Sequence, residues 1–265
     1  MSMKFIKGFF VMSMRRTTLF VLCAAAACAA GLVASNKAGL VEYAGAQKEI
    51  VASGRTQSVM DLKSLARRRG LYAVGAVEGL DGEITIFDSK PYISKVRGEA
   101  FTVDDSFDHG AIFIVWSEQS NWRDIPIPNT VKRYAELQKF VRAQAAAAGI
   151  DVAKPFPFLV SGTPAEVAWH INVDRTEGKP LTKELFMKSK AGYVIKNEPV
   201  DIVGFYSEML SGVFIKPEEA AIKPQDGITN AIHIHVVSHT GKAAGHIDDL
   251  TLGDGMTLRL PTPGF

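Results

Sequence analysis

The sequence predicts a mixed α/β protein dominated by strands, on three observations. Apolar runs of strand length recur through most of the chain: "GAIFIVWSE", "FPFLVSG", "AEVAWHINV", "VDIVGFYSE" and "NAIHIHVVSH". A single long segment, "NTVKRYAELQKFVRAQAAAAG", reads as a strong amphipathic helix. Between two β-rich runs in "LYAVGAVEGLDGEITIFDSKPYIS" lies Asp81-Gly82, a pair suited to the left-handed backbone of a hairpin turn. The 265 residues, 47% hydrophobic and 22% charged, can build one large domain or two small ones. A net charge of +2, with no basic run longer than Arg67–Arg69, argues against a nucleic-acid partner.

Taken in order, residues 1–46 read as an export signal. Arg15 and Arg16 precede "TTLFVLCAAAACAAGLV", an apolar run closed by small residues, with candidate cleavage after Ser35 or Ala46. A retained membrane anchor is the competing reading, against which the run is short and rich in weakly apolar alanine. Cys23 and Cys28 both fall inside this leader, so the mature chain has no cysteine, and any metal must be held by histidine and carboxylate. The expected location is therefore periplasmic or secreted.

From residue 47 to residue 265 the chain reads as one domain. "SVMDLKSLARRR" has apolar residues at helical spacing and stops at Gly70. The "LDGE" hairpin follows, and then "GAIFIVWSE", a continuous apolar run expected in a central strand. In the long helix Asn129 is the expected cap, Val131, Tyr134, Leu137, Phe140 and Val141 line one face, and Gly149 ends it. Any sub-domain boundary would sit near that glycine.

Four of the six histidines fall in "AIHIHVVSHTGKAAGHIDDL". Alternation along a strand puts His233 and His235 on one side and Ile232, Ile234 and Val236 on the other. The loop with Gly241 and Gly245 can fold the chain back and bring His246 alongside. Three neutral nitrogen ligands with an open fourth position make a catalytic rather than a structural zinc site. The plainer alternative is a polar strand face with incidental histidines. His239 is expected in the loop, turned away, while His109 and His170 are isolated and read as ordinary core or surface residues.

"HIHVVSHTGKAAGHIDDLTL" followed by "LRLP" resembles the metal motif of the acetolactate decarboxylases. "RRGLYAVGAVEGLDGEITIFDSKPY" is similar to that family's N-terminal segment, and "VDIVGFYSE" to the strand before its histidines. The resemblance implies two similar sub-domains with mixed β-sheets around a zinc site, with His233, His235 and His246 as ligands and Glu83 as the active-site glutamate. It implies a zinc-dependent lyase, in which the metal acts as a Lewis acid on the oxygens of a small-molecule 2-hydroxy-3-oxo acid as carbon dioxide departs. The product from 2-acetolactate is acetoin. Partners are then the substrate alone, with no stable membrane span after cleavage and a homodimer left open. Two departures stand out. "FPFLVSG" has Leu159 or Val160 where the family carries an arginine, and no glutamate follows "LRLP". Arg123 or Lys242 are the cations that could stand in. The contrasting readings are a zinc enzyme of the same fold acting on another carbonyl acid, and a non-catalytic zinc-binding module.

Overall fold

Among the described residues, fifteen strands carry most of the fold, in two sheets that the chain builds one after the other. The structure, a computed structural model, describes residues 39–216 and 229–262, and Asn36–Phe265 form one compact unit. The leader before residue 39, with its cleavage site at Ser35, lies outside the described residues.

The first sheet takes β1 (Val41–Ala44), β2 (Met60–Asp61), β3 (Leu71–Val77), β4 (Glu83–Phe87), β5 (Lys90–Arg97), β6 (Ala100–Asp104) and β7 (Gly110–Glu118). Its order is β1-β7-β3-β4-β5-β6, with β2 also on β7. The second takes β8 (Trp122–Pro126), β9 (Phe156–Gly162), β10 (Glu166–Asn172), β11 (Lys190–Ile195), β12 (Val200–Tyr206), β13 (Ile232–Ser238), β14 (Ala244–Thr251) and β15 (Thr257–Pro261). Its order is β11-β10-β14-β13-β12-β9-β15-β8. The strand-rich, two-part architecture is the expected one. Neighbouring strands pair antiparallel in every case, since most are joined by short links and a parallel neighbour would need a long crossover.

The change of sheet falls between Glu118 and Trp122, ahead of the expected boundary at Gly149. The helix α2 (Tyr134–Ala147), which Gly149 follows, is a connection between β8 and β9 of the same sheet. Its start also differs from expectation. Asn129 is in a turn, and the helix begins at Tyr134, where the Glu136 carboxylate accepts the backbone N–H groups of Lys132 and Arg133. Leu137, Val141 and Ala145 are fully buried against the outer face of the second sheet. Burial of each larger aliphatic there contributes about 1.5–3 kcal/mol.

The segment "SVMDLKSLARRR" is shorter in helix than its periodicity suggests. Met60 and Asp61 pair with β7, and only Leu62–Leu65 turns, as a 3-10 helix opened by the Asp61 carboxylate accepting from Lys63 N–H. Leu62 and Leu65 cover the outer face of the first sheet together with Leu71, Ala73, Ile84, Ile86 and Ile114. The "LDGE" hairpin forms, with Ala76 opposite Glu83, but its turn runs from Glu78 to Gly82. Gly82 has φ 142° and a Cβ there would stand 2.2 Å from the Ser94 carbonyl, so only glycine fits.

The inner faces meet. Tyr72, Val74, Ala76, Phe113 and Val115 from the first sheet pack with Leu159, Val203 and Phe205 from the second. This accounts for the uninterrupted apolar runs of β3 and β7: both faces are covered, one by the other sheet and one by the 3-10 turn. The functional cluster sits in this inter-sheet layer.

Candidate metal centre

β13 obeys the alternation read from the sequence. Ile232, Ile234 and Val236 enter the core beneath α2, while His233 and His235 face the first sheet. The return strand β14 pairs with β13 so that His246 lies opposite His235. Gly241, at φ 68°, closes the turn between them. Gly245 lets β14 approach β10, because a Cβ would lie 2.6 Å from the His170 carbonyl oxygen.

The three imidazoles converge. His233 Nε2 lies 3.2 Å from His235 Nε2, and His246 Nδ1 lies 2.9 Å from His233 Nε2. Their far nitrogens define which atoms are free. His233 Nδ1 donates to the Phe214 carbonyl at 2.5 Å, so its Nε2 presents a bare lone pair. Gln47 Nε2 lies near both, 3.2 Å from the carbonyl and 3.3 Å from the ring nitrogen; as an N–H donor it belongs to the carbonyl. His235 Nδ1 lies 2.9 Å from the Thr85 hydroxyl, and the ring also bonds to the Ile84 backbone; a ring proton on Nδ1 leaves Nε2 bare. Two lone pairs facing each other at 3.2 Å repel unless a cation lies between them. Nitrogens bound to one tetrahedral zinc at about 2.0–2.1 Å stand roughly 3.3–3.4 Å apart. The donor set and spacing therefore fit a metal ion.

Glu83 enters from β4, where Glu83 and Thr85 point inward and Ile84 and Ile86 point to the outer core. It is 2% exposed, with its carboxylate oxygens 3.7 Å from His235 Nε2 and 3.8 Å from His170 Nε2. Burial pushes its carboxyl pKa well above the usual carboxylate range, opposed by Lys190 and the Asn172 backbone N–H. It stands outside both histidine-containing groups that could hold an ion. Burial likewise pulls the histidines down, His233 to about 4 and His235 and His246 well below the ordinary imidazole range. Neutral imidazole is the form that ligates.

His170 corrects the sequence reading, which took it for an isolated residue. β10 pairs with β14 so that His170 lies opposite His246, their rings 4.8 Å apart. Its Nδ1 is 2.7 Å from Asp248 Oδ2. His170, His246 and Asp248 make a second group that could hold an ion, sharing His246 with the first. Alternation in "AEVAWHINV" does put His170 and Asn172 on one polar face, but nothing in the sequence says that this face meets β14. His239 behaves as expected, half exposed and paired with Asp201 at 3.2 Å. His109 is at the surface pairing with Asp104.

A cavity of about 420 Å³ opens beside the cluster, lined by Glu83, His170, Asn172 and His246 on the polar side and by Ile50, Val51, Phe113, Phe186 and Met187 on the apolar side. Two helices that the sequence reading missed, α1 (Gln47–Ser53) and α3 (Lys183–Lys188), form part of the wall. Arg123 and Lys242, the cations named as stand-ins, are both exposed and neither lines the cavity; Lys48, Lys183, Lys190 and Lys216 do.

The sequence matches the family model for alpha-acetolactate decarboxylase over residues 44–261. The chain belongs to that family. Alpha-acetolactate decarboxylase from Bacillus subtilis strain 168 superposes with a TM-score of 0.61 at 16% identity, over 84% of this chain and 85% of that one. The acetolactate decarboxylase of Bacillus subtilis subspecies spizizenii gives 0.63 at 16% identity, over 83% and 85%. A Staphylococcus aureus protein of unknown function, described as similar to alpha-acetolactate decarboxylase, gives 0.59 at 16% identity, over 83% and 84%. No curated protein matches the sequence. At this identity the superpositions speak for the acetolactate decarboxylase fold, and the family match for its lineage.

Proposed function

We propose that the protein is a zinc-dependent lyase that decarboxylates 2-acetolactate to acetoin with release of carbon dioxide. The observation that carries this reading is the convergence of imidazole nitrogens from His233, His235 and His246 beside the buried Glu83, at the polar end of a cavity. When bound, zinc would supply Lewis acidity toward the hydroxyl and carbonyl oxygens of the substrate.

The remaining work belongs to the chain. Glu83 is fixed by the β3–β4 hairpin and by its strand pairing to Ser94, so its carboxyl faces the reacting carbons without a mobile loop. Burial favours the protonated form of its carboxyl, the form that can deliver a proton to the carbon that carbon dioxide leaves. Phe113, Ile50 and Val51 keep that end of the cavity dry and strengthen each charge interaction inside it.

A zinc enzyme of the same fold acting on another carbonyl acid is the second reading, favoured by a cavity roomy for so small a substrate. Incubating the zinc-loaded protein with racemic acetolactate and assaying acetoin separates the two. Turnover above the rate of spontaneous breakdown is the expected result; none from a protein of full zinc content would refute the acetolactate assignment. Export is part of the proposal, supported by the apolar run after Arg15 and Arg16. Cleavage after Ser35 would keep β1 on the edge of the first sheet, whereas cleavage after Ala46 would remove it. N-terminal sequencing of the exported form decides, and a start at Gln47 would contradict this choice.

A further inference from the structure

Beside Glu83 the cavity carries further polar side chains, those of Lys190, Lys216 and Asn172, that the histidine cluster does not use. Lys190 opens β11 directly opposite Asn172, and Gly192 lies opposite His170 with open space where a side chain would project. Asn172 is 7% exposed and lines the cavity, yet its side-chain oxygen has no partner. A buried amide left unpaired costs about 1–3 kcal/mol, so the site is built for something that completes it. The Lys190 ammonium reaches Asp248 only at 3.8 Å, beyond hydrogen-bond distance. Lys216, partly buried on the same cavity, makes no ion pair among the described residues. Burial first, and repulsion from Lys190 second, hold the Lys216 pKa below the ordinary lysine value. Lys190 and Lys216 both interact electrostatically with Asp248, which His170 already engages, and Lys190 also faces the buried Glu83 carboxyl. The local excess is positive, in a partly desolvated wall where charge interactions are strong.

We propose that Lys190, Lys216 and Asn172 form an anion-binding end of the cavity that holds the carboxylate of a small organic acid, while the acid's remaining oxygens face the histidine cluster. The lysines neutralise the carboxylate, and the unpartnered Asn172 side-chain oxygen accepts from the acid's hydroxyl. This rests on the reading of the cavity as the substrate site. It assigns to β11 and to the segment ending at Lys216 the cation that β9, with Leu159 and Val160, does not provide.

The test is binding, so that it stands apart from turnover. The probes are 2-hydroxy-2-methylpropanoate, which has no ketone and cannot be decarboxylated by this route, and its uncharged amide. Each is titrated calorimetrically into the zinc-loaded protein and into Lys190→Met, Lys216→Met and Lys190→Arg. We expect the acid to bind about 10- to 100-fold more weakly to each methionine variant, the range for losing a charge-assisted hydrogen bond. The amide should bind all four proteins alike, and Lys190→Arg should retain most of the acid affinity. Zinc content and thermal midpoint, unchanged across the set, exclude a folding defect. Acid and amide weakened equally, or acid binding indifferent to both substitutions, would overturn the inference. A protein that binds the acid in this lysine-dependent way yet makes no acetoin would leave the anion site standing and remove the decarboxylase reading.

Discussion

Replacing His235 with alanine tests the metal centre most directly, because two arrangements share His246 and predict different losses. In the first, the ion is held by His233, His235 and His246; in the second, by His170, His246 and Asp248. The bare, converging Nε2 atoms of His233 and His235 favour the first. Four-ligand zinc binding in small domains is worth about 10–16 kcal/mol, so one of three ligands carries about 3 kcal/mol or more. At about 1.4 kcal/mol per decade that is roughly 100-fold or more in affinity. The same loss is expected for His233→Ala and His246→Ala. Thr85→Val removes one partner of the His235 ring but leaves the Ile84 backbone, so about tenfold is expected, the low end for a ligand's supporting partner. His239→Ala, eliminating only a surface contact with Asp201, should change nothing. The assay is competition against a fluorescent zinc chelator, with elemental analysis of each purified variant. Zinc lost in His170→Ala but kept in His235→Ala would move the ion to the second group and refute the reasoning, as would equal loss in His239→Ala.

Glu83→Gln should keep the metal, abolish acetoin formation and raise the thermal midpoint of the metal-free protein at neutral pH. A carboxyl whose folded pKa is raised gives stability that is present below the unfolded value and lost as pH rises through the folded one; glutamine has no such loss. A lower midpoint in the variant would show that the charge is compensated in a way this geometry lacks. Acid should act in the opposite sense through the histidines. Depressing His233 from 6.5 to about 4 contributes stability present above pH 6.5 and lost as pH falls toward 4, about 3 kcal/mol for that residue. Urea midpoints of the metal-free protein at pH 7.5 and 4.5 measure it, and equal midpoints would exclude buried neutral histidines.

The local chemistry of the site was legible in the sequence wherever it depended on spacing within one segment. Strict alternation in "AIHIHVVS" put two histidines on one face, because successive side chains in a strand point to opposite sides. The glycine-bearing return then brought His246 level with His235. "LDGE" announced a hairpin because Gly82 takes a backbone that other residues avoid. What the sequence could not rank was the partner of each strand. His170 is 76 residues from His246, and only the β10–β14 pairing makes them neighbours. Lys190 reaches the cavity because β11 adds to the far side of β10, and Glu83 faces the histidines because the two sheets stack by their inner faces. Helical periodicity in "SVMDLKSLARRR" yielded to the pairing of Met60 and Asp61 with β7, since a propensity of tenths of a kcal/mol per residue gives way to tertiary packing. Residue types and their spacing thus determined the strands and the three histidines, while Glu83 was named by the resemblance to the acetolactate decarboxylases. Long-range strand pairing, which depends on packing between segments far apart in the chain, decided which further groups share the cavity with them.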